Sequence, residues 1–101
     1  MEKLRATIEE RWAADPEISY VAKMARKGRR KMAQKVGEEA VEVAIAAVSQ
    51  DKEKLIGESS DLLFHLMVLW QDAGVTPDDI ADEFERREGR SGLAEKKSRV
   101  M

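Results

Sequence analysis

The chain has 101 residues, 20 acidic and 18 basic groups for a formal charge of −2, and no cysteine. A length of this order holds one small domain, nearly cancelling charge gives no global field to draw it onto nucleic acid or an anionic membrane, and a cysteine-free composition removes disulfides and thiolate metal sites. Charged residues make up 38% of the sequence and only 6 Gly and 2 Pro interrupt it, a balance that favours an all-α fold over sandwiches or disorder.

In chain order, Leu4, Ile8 and Trp12 stand four residues apart and mark one helical stripe over residues 3–13, which Asp15-Pro16 ends. Ser19 is the N-cap of a short helix through Lys27, and Gly28 is placed to close it. A longer helix is expected from Arg29 to about Gln50, followed by one that Asp51 caps and Gly74 ends. Thr76-Pro77-Asp78-Asp79 supplies a cap, a proline at the first helical position and early acids for a last helix to about Glu88. Residues 90–101 are expected to form an irregular C-terminal tail of the same single domain, residues 1–101. The longest apolar run, Leu62 to Trp70, is broken by His65 and too short to span a bilayer, and the N-terminus is charged from its second residue, so a soluble, cytoplasmic protein is expected.

The chemistry is concentrated in two acidic patterns. Glu38, Glu39 and Glu42 lie on the first long helix at spacings of three and four, and Glu58 and Asp61 form a second pair on the next. Either pair alone reads as a solvated helix face. Two pairs on consecutive helices read differently, because the second opens a segment, Leu62 to Trp70, that is apolar on nearly every side and hence buried. Carboxylates at the edge of a core are costly unless a cation or hydrogen bonds compensate them. A divalent metal is the simplest compensation, and Mg²⁺, with Mn²⁺ as a substitute, suits an oxygen-only donor set that also meets phosphates. Val36, Ala40, Val43, Ala44, Ala47 and Val48 fill the opposite arc of the first long helix and are expected to face the core. His65, one turn after Asp61, is a packed core histidine or at most a group that supports a ligand from behind.

The stretch from Lys35 to Val43, KVGEEAVEV, and that from Glu58 to Leu66, ESSDLLFHL, resemble the signature of the phosphoribosyl-ATP pyrophosphatases. The likeness extends upstream through Ser19-Tyr20, Lys23, Gly28 and Lys31, and downstream from Arg87 through Ser91-Gly92-Leu93 to Glu95, Lys96 and Arg99. The acidic pattern alone is similar to the wider, MazG-like superfamily of all-α nucleoside triphosphate pyrophosphohydrolases. Phe64 and Ser60 stand where the family usually has tyrosine and often has alanine. The resemblance implies a helical bundle completed by homodimerisation, and the apolar segment Leu62 to Trp70 is the expected interface. It further implies Mg²⁺-dependent hydrolysis of phosphoribosyl-ATP to phosphoribosyl-AMP and pyrophosphate in histidine biosynthesis, by a monofunctional chain. By motif position Glu39, Glu42, Glu58 and Asp61 are the metal ligands. Glu42 also counts as catalytic with Glu38, which is either a further ligand or the group that orients the attacking water. Lys31, Lys35, Lys96 and Arg99 are the substrate-binding cations, the last two for the phosphate on the second ribose.

Two other functions fit parts of the pattern. A housecleaning pyrophosphohydrolase of another nucleoside triphosphate would use the same metal centre but has no evident need of the basic tail. A catalytically idle helical dimerisation module would be expected to lack one of the four motif carboxylates, and all four are present.

Overall fold

The computed structural model describes residues 1–88, in which five helices follow the cap signals and no strand occurs: α1 (Glu2–Arg11), α2 (Tyr20–Lys27), α3 (Arg29–Val48), α4 (Lys52–Ala73) and α5 (Pro77–Arg86). Residues 89–101, with Lys96 and Arg99, lie outside the described part. Three starts are made by side chains that satisfy otherwise unpaired backbone N–H groups. Ser19 accepts from the Ala22 amide at 3.2 Å, Asp51 from Lys54 at 3.1 Å, and Thr76 from Asp79 at 3.1 Å. Asp79 returns the favour by accepting from the Thr76 amide at 2.9 Å, a complete capping box with Pro77 in the first turn. α4 closes at Gly74 (φ 73°), where the Val75 amide reaches back to the Trp70 carbonyl at 2.9 Å. In the last turn of α5, Glu83 accepts from both Arg86 and Arg87; these hydrogen bonds hold its carboxyl down to about 2.

Between α2 and α3 there is a single residue, Gly28, at φ 90°. A side chain disfavours that conformation. Glycine therefore lets one position end one helix and start the next in a new direction. The α3–α4 connection is nearly as short, Ser49-Gln50-Asp51, and Gln50 turns it at φ 59°. A connection of this length returns the chain antiparallel. Arg29 at the start of α3 confirms the register by donating from Nε to the Asp72 carboxylate at 2.8 Å, at the far end of α4. This antiparallel hairpin is the most extensive helix pair, and α1 and α2 pack across it.

The core is built from Ile8 of α1, Val21 and Met24 of α2, Met32 of α3, and Met67 and Val68 of α4, with Leu4, Trp12, Leu63, Phe64, Leu69 and Trp70 packed around them. None of the nine residues from Leu62 to Trp70 is exposed. The segment expected as a dimer interface is thus already covered in part by the chain's own helices. The apolar arc of α3 departs further from expectation. Val36 and Val43 are half-buried, while Ala40, Ala44, Ala47 and Val48 are exposed. The reason is topological: α2 and α4 occupy only part of the circumference of α3, and no other described helix packs on the rest. Val41, Ile45 and Val48, with Ile56 of α4, are left in solvent. α5 packs its backbone against none of the other helices and buries no residue. No helix among the described residues is long and apolar enough to cross a membrane.

Candidate active site

Antiparallel pairing places the middle of α3 beside the first half of α4. Glu39 and Asp61 each stand eleven residues from Gln50 at the turn, so they are level with one another across the hairpin, and Glu58 lies one turn nearer the turn. Glu39, Glu58 and Asp61 each bring one carboxylate oxygen within 4.8 Å of the other two. Glu39 and Glu58 are half-buried and Asp61 is exposed. Convergence of three like charges is unfavourable in itself. It becomes favourable around a cation, and the donor set is all oxygen, which fits a hard divalent ion. Glu39, Glu58 and Asp61 are the residues that would hold such an ion.

The other acidic residues stand apart from this set. Glu42, one turn along α3 from Glu39, is exposed, and its carboxylate is not among the converging oxygens. Glu38 is also exposed and is turned back along its own helix, where it accepts from Gln34 Nε2 at 2.8 Å and pairs with Lys35 at 3.3 Å. The Gln34 hydrogen bond, then that of Lys35, holds the Glu38 carboxyl below the usual carboxylate range. Such a group is a weak proton acceptor and a good hydrogen-bond acceptor.

Lys35 links the two acidic neighbourhoods. Its Nζ lies 3.3 Å from Glu38 Oε1 and 3.8 Å from Glu39 Oε1. Its hydrogen bond to Glu38 keeps the ammonium above its ordinary pKa against a smaller opposing effect of burial. Lys31, one turn earlier and half-buried, contributes to the electrostatic field on Glu38. Both lysines thus stand on the N-terminal side of the carboxylates, along α3.

His65 lies one turn after Asp61 on α4, only 6% exposed, with Nδ1 buried and without a hydrogen-bond partner among the described residues. The Tyr20 and Phe64 rings meet it edge-on, with centroids at 5.7 Å and 5.2 Å. Burial pushes its pKa down, and the charges of Glu39 and Asp61 oppose that shift. The result is an imidazole whose neutral form is favoured, in an aromatic pocket behind the carboxylates. Sequence reasoning gave two neighbours no role, Tyr20 having been named only as part of the family likeness. Gln34 precedes Glu38 by four residues, a spacing that signals one helix face. Tyr20 has no local signal, because only the packing of α2 on the α3–α4 hairpin brings it to His65 and Lys35.

A family model described as phosphoribosyl-ATP pyrophosphohydrolase matches residues 1–88. A phosphoribosyl-ATP pyrophosphatase of Sphingopyxis alaskensis is 57% identical over 99 residues, covering 97% of this chain and 91% of the relative. Those of Azospirillum brasilense and Gluconobacter oxydans are 54% and 50% identical, each covering 98% of this chain and, respectively, 89% and 74% of the relative. The matched span takes in all five described helices, and the chain belongs to the phosphoribosyl-ATP pyrophosphohydrolase family.

Proposed function

We propose that this chain hydrolyses the α–β phosphoanhydride of phosphoribosyl-ATP, releasing pyrophosphate and phosphoribosyl-AMP in histidine biosynthesis. The observation that carries the reading is the convergence of Glu39, Glu58 and Asp61 across an antiparallel helix pair, in a chain half identical to relatives named for this activity.

Glu39, Glu58 and Asp61 would hold the cation, and exposed Glu42 would turn in from the next turn of α3 to join them. Mg²⁺, or Mn²⁺ in its place, would neutralise phosphate oxygens as charge moves onto the leaving pyrophosphate. Glu38, held ionised by Gln34 and Lys35, would orient the attacking water by accepting its hydrogen bond. Lys31 and Lys35 meet the triphosphate from the N-terminal side of the site, and Lys96 and Arg99 are assigned to the phosphate on the second ribose. His65 keeps the α4 backbone beneath Asp61 in place through its packing against Tyr20 and Phe64. The working form in this reading is a homodimer in the cytoplasm, closed over the apolar surface that α3 leaves in solvent.

Product analysis tests the reading directly. Purified protein with phosphoribosyl-ATP and Mg²⁺ is expected to yield one pyrophosphate per phosphoribosyl-AMP, to stop in excess EDTA, and to turn over ATP far more slowly. Metal-independent turnover, or a preference for ATP, would sink it.

A further inference from the structure

Glu39 is one of the three converging carboxylates and, among the described residues, the one already engaged in an ion pair. Its side chain is only 15% exposed, and among the described residues its one ion pair is with Lys35, at 3.8 Å. Lys35 is itself largely covered, with 26% of its side chain in solvent, and divides its charge between Glu39 and Glu38. Without a metal, Lys35 is therefore, among the described residues, the nearest compensation for the negative charge that Glu39, Glu58 and Asp61 concentrate at one point.

We infer that Lys35 is a built-in counter-ion of the metal site, neutralising Glu39 in the metal-free enzyme and transferring to phosphate oxygens when metal and polyphosphate arrive together. The inference rests on the metal reading given above. A divalent ion bound by Glu39 alone with its neighbours would face the Lys35 ammonium as a like charge, with the two cations competing for one carboxylate. A polyphosphate removes the conflict, because its oxygens offer Lys35 new partners while they also bind the ion. The lysine stem is long and flexible enough to change partners without moving α3. Metal and polyphosphate then bind with positive coupling, and the coupling resides in a single side chain. Lys35 is on this account a positioning residue for the loaded site as well as a phosphate contact.

The test is binding without turnover. Mn²⁺ affinity is measured by electron paramagnetic resonance in the absence of nucleotide, and affinity for magnesium pyrophosphate by calorimetry, for the wild type and for Lys35→Gln, Lys35→Ala and Lys35→Arg. Both neutral variants are expected to bind Mn²⁺ alone about twofold to fivefold more tightly, the range for a partly screened charge, and magnesium pyrophosphate at least about tenfold more weakly. Lys35→Arg is expected to stay near the wild type in both measurements. Neutral variants with unchanged or weaker Mn²⁺ affinity, in a wild type that binds the ion, overturn this inference alone and make Lys35 an ordinary helix-surface ion pair. If no protein binds Mn²⁺ with or without pyrophosphate, the metal reading fails and this inference with it.

Discussion

At Glu39 and Asp61 the helix hairpin brings two carboxylates level with one another, and on the proposed metal reading each is expected to be individually necessary. Glu39→Gln and Asp61→Asn preserve shape while removing ligand charge; each is expected to abolish Mn²⁺ binding and lower turnover by a factor on the order of 100 or more. In Asp61→Asn the metal-free melting temperature should hold or rise, because like-charge repulsion is relieved. Glu42→Gln, outside the converging set, should keep Mn²⁺ binding within about threefold yet lose turnover with substrate, as its place in the loaded site requires. Equal loss of Mn²⁺ binding in all three variants would put Glu42 among the ligands that hold the ion without substrate after all. The acidic spacing was legible because a helix repeats every three to four residues. Which carboxylates meet was not, since Glu38 and Glu39 are neighbours in sequence yet one turns to Gln34 and the other to Asp61. His65 adds a pH dependence. Burial lowers its folded pKa, so its neutral form is favoured in the folded state. The unfolded chain takes up the proton first, at about 6.5. This contribution is complete above that value and lost as pH falls towards the lower folded pKa. Thermal unfolding of the metal-free protein should become easier below about pH 6.5, and His65→Leu should flatten that slope; an equal slope in the variant would assign it to other groups.

The helices themselves were the most legible level, because their starts are written in side chains that act locally. Ser19, Asp51 and Thr76 each cap as their sequence context implies. Ends without such chemistry were read less well: α1 stops at Arg11, two residues before the expected limit, and α5 at Arg86. The α2–α3 corner offers a direct test of how much one backbone conformation contributes. Gly28 has φ 90°, and a Cβ placed there would meet nothing within 4 Å. Gly28→Ala therefore costs backbone strain without a clash, about 1 to 3 kcal/mol. In a domain of this size that corresponds to a fall of roughly 4 to 24 °C in melting temperature. Because Gly28 sets the angle at which α3 leaves α2, and hence the approach of Tyr20 to His65, the strain should also disturb the aromatic pocket. A melting temperature equal to the wild type would mean that the corner adopts another conformation at no cost.

On the scale of the whole molecule, the sequence contains more apolar surface than one copy covers, and composition alone does not say where the surplus lies. Leu62 to Trp70 was the natural choice because its circumference is almost wholly apolar, yet α1, α2 and α3 reach around it. The surplus is on α3, where Val41 is 57%, Ile45 48% and Val48 81% exposed, at spacings of four and three that make one stripe. Ile56, 57% exposed, lies beyond the turn on α4, and Phe84 on α5 is 69% exposed. An uncovered helix stripe in so small a core favours association with a like surface, and a two-fold pairing would lay α3 of one copy against α3 of the other. The wild type is accordingly expected to sediment as two copies at micromolar concentration. Ile45→Glu places a charge in the middle of the stripe and should weaken association by about 2 kcal/mol or more, since a buried unpaired carboxylate has no compensation there. The variant should then sediment as one copy and keep the Arg29–Asp72 register, because neither side chain of that pair lies on the stripe. Ile80→Glu, on the separate groove that Met1, Leu63, Met67 and Trp70 line with it, serves as the comparison. A dimer that survives Ile45→Glu and dissociates in Ile80→Glu would move the interface from α3 to the α4–α5 groove, restoring the Leu62 to Trp70 segment to the role its composition suggests.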